Sequence, residues 1–223
     1  MADEPPPEGI DRDVTIAFDD VGLAGHLRVP PLDVGVVFFA HGSGSSAQSP
    51  RNRHVADVLH RAGLSTVLFD LLTPTEAASR RAVFDIELLA SRLAAATEWV
   101  RGAPWHHDKP IGWFGASTGA AAALWAAADP RSPVAAIVSR GGRPDLAGPR
   151  LARVRAPTLL IVGGDDTEVL GLNRAAEAQL QCPSQLEVVA GATHLFEEPG
   201  TLDAAAALAR DWFLAYLTGS SHT

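Results

Sequence analysis

Gly115-Ala116-Ser117-Thr118-Gly119 sets a hydroxyl between two glycines where an apolar run, residues 111–114, meets an alanine-rich run ending at 128. A strand that feeds directly into a helix must turn sharply and force one side chain outward. The residues two positions away must then be nearly bare. Ser117 at such an apex presents its hydroxyl beside the first amides of a helix, whose positive end favours a developing oxyanion. The chemistry is nucleophilic attack. Small residues also meet by chance in a chain rich in Gly and Ala, so the pentapeptide gains weight from its context.

Other reactive side chains recur just beyond short apolar runs. Residues 34–40 lead into His41-Gly42-Ser43-Gly44-Ser45-Ser46. Three readings fit that loop: a phosphate cradle, for which the G-K-[ST] ending is missing; a plain polar loop; and an oxyanion loop in which the Ser43 amide joins the Thr118 amide. Residues 133–138 lead into Ser139-Arg140-Gly141-Gly142-Arg143-Pro144-Asp145, residues 158–162 into Gly163-Gly164-Asp165-Asp166, and residues 186–190 into Gly191-Ala192-Thr193-His194. A serine hydroxyl needs a neutral imidazole to take its proton and a carboxylate to hold that ring. His194 fits the base, and Asp145 and Asp166 compete for the acid. His41 is read as orienting its own loop. His106-His107-Asp108 is read as surface loop rather than metal site, because adjacent side chains diverge and no second ligand set at i, i+4 accompanies them.

The elements that must position these residues alternate. Residues 14–18 and 23–29 flank Asp19-Asp20-Val21-Gly22 as an antiparallel hairpin. The run at 34–40 is apolar without alternation, as a strand covered on both faces should be, and 64–69 is a further strand. Helical spacing runs through 53–62 and stops at Gly63. It returns through 80–101, with Ile86, Leu89, Leu93, Ala96 and Val100, and through 202–217, with Ala205, Leu208, Trp212 and Tyr216 on one stripe. Strand and helix in alternation predict an α/β fold, a mostly parallel sheet with helices on both faces. Ligands in such folds gather at the carboxyl ends of strands. One domain over 13–218 is expected, between a flexible lead at 1–12 and a tail at 219–223.

A chain of 223 residues suits one domain with a sizeable core. The net charge of -8 argues against a nucleic-acid surface. The single cysteine, Cys182, excludes an internal disulfide and supplies no metal-type pair. The amino terminus is acidic and proline-rich, unlike a signal peptide, and no apolar stretch reaches the ~20 residues of a membrane span. A cytoplasmic protein without cofactor or metal is expected, its oligomeric state undetermined.

F-F-A-H-G-S-G-S-S, S-P-R-N-R, L-F-D-L-L-T, G-A-S-T-G, G-G-D-D-T-E-V and G-A-T-H-L-F-E-E-P, in this order, make the chain resemble an α/β-hydrolase of the dienelactone hydrolase type over nearly its whole length. It is similar in particular to small members found alone or fused to a phosphoribosyltransferase-like domain. The resemblance implies Ser117 as nucleophile, His194 as general base and Asp166, in the G-x-x-D-x-x-V pattern, as acid. Dienelactone hydrolase proper usually carries cysteine as nucleophile. Serine here points to carboxylester chemistry on a small ester, thioester or lactone. The same acyl-enzyme would serve an acyltransferase, and a non-catalytic binding protein of this fold is the third reading. The connection between residues 138 and 158 is too short for an inserted cap. Ser45, Leu71, Leu72 and the loop at 139–145 are expected to line the substrate cleft, with Arg140 or Arg143 pairing with a substrate carboxylate.

Overall fold

The computed structural model describes residues 9–219. The strands are β1 (Ile10–Phe18), β2 (Val21–Val29), β3 (Val36–Ala40), β4 (Ser65–Phe69), β5 (Ile111–Ala116), β6 (Val134–Arg140), β7 (Thr158–Gly163) and β8 (Ser184–Val189). They form one sheet in the order β1-β2-β4-β3-β5-β6-β7-β8. The β1–β2 hairpin joins β4 antiparallel, and every pairing from β4 to β8 is parallel. The helices are α1 (Pro50–Arg61), α2 (Pro74–Ala77), α3 (Arg80–Val83), α4 (Ile86–Arg101), α5 (Thr118–Ala127), α6 (Thr167–Glu177) and α7 (Thr201–Leu217), with a 3-10 segment at Pro144–Arg153. This is the α/β-hydrolase architecture. The β6–β7 connection, residues 141–157, holds only the 3-10 segment, so no cap domain is inserted there.

Side chains alternate across a strand, so a central strand must be apolar at every position. In β3, Val36, Phe38 and Ala40 pack with Leu89 and Leu93 of α4 and Ala121 of α5. Val37 and Phe39 pack on the other face with Val55 and Leu59 of α1 and Phe213 of α7. Trp113 of β5 is buried and donates its indole N–H to Thr97 Oγ1 at 3.1 Å, so the polar end of the ring is satisfied inside the core.

The elements differ from the sequence reading in several places. β1 starts at Ile10, inside the stretch expected to be a flexible lead. The His26 ring nitrogens lie 2.9 Å from Asp11 and 2.8 Å from Asp13, and these cross-strand contacts hold the polar segment on the hairpin's outer face. Residues 1–8 and 220–223 lie outside the described residues. The helix expected over 80–101 is two helices, because the Asp85 carboxylate accepts the Leu88 N–H at 3.0 Å and caps a new start at Ile86. The buried stripe of α7 is Ala205, Ala209, Phe213 and Leu217. Tyr216 is exposed, and Leu208, Trp212 and Tyr216 face a groove beside edge strand β8. α6 has no counterpart in the sequence reading, since Gly171 and Asn173 dilute its helical signal. Its support is tertiary: buried Asn173 donates from Nδ2 to the carbonyls of Gly142, at 3.0 Å, and Val169, at 2.8 Å.

The segment after β4 is pinned from below. Glu76, in a capping box with Thr73, accepts two hydrogen bonds of 2.7 Å from Arg92, which is buried and also donates to the Leu71 carbonyl at 2.8 Å. Hydrogen bonding from Arg92 pulls the Glu76 carboxyl down to about 2. Glu76→Ala strands a buried guanidinium. It is expected to cost roughly 2–3 kcal/mol at pH 7, less than the full penalty of an enclosed pair because Glu76 keeps water contact. A depressed carboxyl stabilises above its unfolded pKa, about 4.5, and loses that effect as pH falls towards 2. Urea midpoints of wild type and variant should therefore converge across that window.

Candidate active site

Five strand ends converge at one edge of the sheet. Ser117 sits between β5 and α5 with φ 49° and ψ −120°, a conformation that a non-glycine residue holds only where its surroundings force it. The neighbouring glycines are required by close approach. A Cβ at Gly119 would lie 2.0 Å from the Ala40 carbonyl oxygen, and one at Gly115 would lie 2.4 Å from the Cα of Ala120. Gly119→Ala must push α5 away from β3 and is expected to cost about 1–3 kcal/mol, read as a drop in denaturant midpoint. Ser49, Thr73 and Asp85 cap their helices with side-chain oxygens, whereas Ser117 makes no such bond and its hydroxyl is left free.

His194 follows β8 and Asp166 follows β7. The Asp166 Oδ2 accepts from His194 Nδ1 at 2.6 Å, with the aspartate largely buried and the ring 41% exposed. The His194 loop is tied down next door. Glu198 accepts from the Thr193 backbone N–H at 3.0 Å and from its hydroxyl at 2.6 Å, and these bonds lower the Glu198 pKa. Ser117 and His194 line one cavity of about 140 Å³, together with Ser43, Ser45, Arg51 and Arg140. Among the described residues no hydrogen bond yet joins the Ser117 hydroxyl to the ring. Such contacts commonly tighten only when substrate binds.

Asp145, the competing acid, is engaged elsewhere. It accepts from Arg143 Nε at 2.8 Å and Nη2 at 2.7 Å, and that bonding raises the Arg143 pKa. Arg143, expected beside the substrate, is thus occupied by its own neighbour, and it lines neither cavity at the strand ends. Arg140 does line the small cavity. Burial is the larger cause, and neighbouring Arg51 the second, of a guanidinium pKa pulled down to about 10.

The loop after β3 is held by His41, which is buried. Its Nε2 accepts the Leu71 N–H at 3.0 Å, so Nδ1 carries the proton and donates to the Gly42 carbonyl at 3.0 Å. Desolvation lowers the His41 pKa and keeps the ring neutral. Asp70 accepts from the Ala47 N–H at 2.7 Å and fixes the far side of the loop. The Ser43 and Thr118 backbone N–H groups donate to nothing among the described residues. A second cavity, about 270 Å³, adjoins this loop and is lined by Leu72, Ala77, Val83, Leu89 and Thr118. Leu72 and Ser45 therefore reach the cleft. Leu71 does not: it is fully buried in the core and contributes only its backbone, because successive side chains here point to opposite sides.

His106-His107-Asp108 lies in a turn with His107 and Asp108 exposed, while the His106 ring is buried edge-on against Trp105. No group of three potential metal ligands occurs among the described residues, and no helix there is long and apolar enough to cross a membrane. Arg51, Glu197 and Asn173 were not singled out from the sequence. Arg51 lies in the S-P-R-N-R stretch, where Ser49 and Pro50 signal a helix start that aims it at the cleft.

A solved dienelactone hydrolase from Anabaena variabilis is 52% identical, covers 94% of this chain and is itself covered over 99% of its length, with a TM-score of 0.90. The chain belongs to the dienelactone hydrolase family. No protein-family model matches it. Two Mycobacterium tuberculosis proteins provisionally named phosphoribosyl transferases, from strains CDC 1551 and H37Rv, are each 60% identical over 209 residues. The match takes in 94% of this dienelactone hydrolase family chain but 47% of theirs, so the chain spans about half the length of those relatives. Est1E from Butyrivibrio proteoclasticus shares the fold at 15% identity, with a TM-score of 0.76 over 92% of this chain and 98% of its own.

Proposed function

We propose that the chain is a serine hydrolase that cleaves small carboxylic esters, thioesters or lactones through an acyl-serine intermediate on Ser117. The observation that carries this reading is the 2.6 Å bond from His194 Nδ1 to Asp166, which leaves the other ring nitrogen free beside the cavity that Ser117 lines. His194 Nε2 takes the Ser117 proton as Oγ bonds to the substrate carbonyl carbon, and Asp166 fixes the tautomer and stabilises the imidazolium. The charged oxygen is received by the undonated N–H groups of Ser43 and Thr118, with the dipole of α5 behind them. The proton then passes from His194 to the leaving oxygen. Water, activated by the same ring, attacks the acyl carbon and frees Ser117. The dienelactone hydrolase name of the Anabaena variabilis structure agrees with this class of reaction.

The test is release of p-nitrophenol and acetate from p-nitrophenyl acetate, with and without an added alcohol. Equal release in both supports hydrolysis. p-Nitrophenol release that depends on the alcohol, with the acetyl group recovered as its alcohol ester rather than as acetate, makes the protein an acyltransferase, and no release above buffer overturns the catalytic reading.

A further inference from the structure

The cavity beside the loop after β3 is walled by Leu72, Ala77, Val83 and Leu89, and among the described residues no charged side chain borders it. The one titratable side chain there is His41, whose ring burial keeps neutral. The cavity of Ser117 and His194 differs in kind. It measures about 140 Å³ against about 270 Å³, and Arg51 and Arg140 give it a polar wall. Gly42, Ser43 and Ser45 border both spaces, so the two meet at the loop whose Ser43 N–H is left undonated. That loop abuts the nucleophile directly, since a Cβ at Gly42 would lie 2.7 Å from the Cβ of Ser117. A carbonyl carbon held at this junction has one arm in each space.

We infer that the cavity of Leu72, Ala77, Val83 and Leu89 takes the acyl half of the substrate, and that the preferred substrates are esters of uncharged aliphatic acids of about four to eight carbons. This rests on the reading of Ser117 and His194 given above. Two arguments choose the half. His194 must protonate the leaving oxygen, so the alcohol half lies in the cavity that His194 lines. An alkyl chain gains by leaving water only against apolar walls, and of these two spaces the other supplies them. Size sets the limit. At about 30 Å³ per water-sized group, a space of about 270 Å³ holds about nine, and a chain anchored at its carbonyl uses fewer. The wall is fixed in place: Ala77 ends α2, Val83 ends α3, and Arg92 holds α2 through two bonds of 2.7 Å to Glu76. Longer chains must displace that wall or stay in water. The bond from Ser117 Oγ to the acyl carbon forms, the bond from that carbon to the alcohol oxygen breaks, and the serine proton ends on that oxygen. Water then releases the aliphatic acid.

The test is kcat/KM for p-nitrophenyl acetate, butanoate, hexanoate, octanoate and dodecanoate. In wild type each methylene that enters the cavity should raise kcat/KM by about fourfold, the worth of a buried CH₂. The profile should peak between butanoate and octanoate and fall by dodecanoate, a readout that needs no variant to fold. Ala77 is exposed at the rim, so Ala77→Phe fills the space without disturbing the core. It should lower the ratio of hexanoate to acetate by at least about 10-fold. Val83→Ala should move the peak to a longer chain. Monophenyl succinate, with a carboxylate at the end of its acyl chain, should turn over at least about 10-fold more slowly than phenyl pentanoate. Between propyl and hexyl acetate, where only the alcohol lengthens, Ala77→Phe should change both rates by the same factor. A wild-type peak at acetate, a hexanoate-to-acetate ratio unmoved by Ala77→Phe, a preference for succinate, or discrimination by Ala77→Phe among alcohols instead of acids would overturn the assignment. No turnover of any of these esters by wild type would instead overturn the hydrolase reading beneath it.

Discussion

Ser117→Ala is expected to lower kcat for p-nitrophenyl acetate by on the order of 10⁵–10⁶ while leaving the fold intact. The magnitude follows from what is removed. Without Oγ there is no acyl-enzyme, and the Ser43 and Thr118 N–H groups can polarise only a carbonyl attacked directly by water. Stability should hold or rise, because alanine relieves a hydroxyl that caps nothing in a strained turn. A fall in rate with an unchanged unfolding midpoint separates loss of the nucleophile from loss of the elbow. The elbow is tested independently by Gly119→Ala, which spares the hydroxyl and disturbs the α5–β3 contact.

The next largest effect is expected at the acid. Asp166→Asn keeps the side chain's shape but offers an amide to His194 Nδ1, which disrupts the tautomer and leaves the imidazolium unsupported. A kcat loss of about 10³–10⁴ is expected. Asp145→Asn should stay within a few-fold of wild type, because that carboxylate is occupied by both nitrogens of the Arg143 fork. Comparing the two variants on one substrate separates acids that occupy similar sequence settings. A large loss in Asp145→Asn with a small one in Asp166→Asn would reverse the assignment.

That pair also marks where sequence reasoning stops. β3, β5 and β7 were legible because a strand covered on both faces must be apolar at consecutive positions, and their ends located the polar loops. From residue types alone, Asp145 and Asp166 were equivalent, each a few residues past a strand. What distinguishes them is Arg143, two residues from Asp145, whose side chain folds back onto it. Arg140 and Arg143 were likewise interchangeable in sequence; register puts one under the cleft among aromatic rings and leaves the other on its own aspartate. Leu71 and Leu72 differ only in which side of the chain they leave. α6 was invisible because its support, the Asn173 side chain on the Gly142 carbonyl, bridges residues far apart in sequence. The early start of β1 was hidden because its carboxylates are held across the hairpin by His26 and Arg28.

The most direct measurement is covalent. Intact-mass and peptide analysis after reaction with a fluorophosphonate should find one adduct per chain, on the peptide carrying Ser117. It should be absent in Ser117→Ala and formed far more slowly in His194→Ala. An adduct on another serine, or no adduct in protein that still hydrolyses p-nitrophenyl acetate, would contradict an acyl-serine mechanism at this strand end.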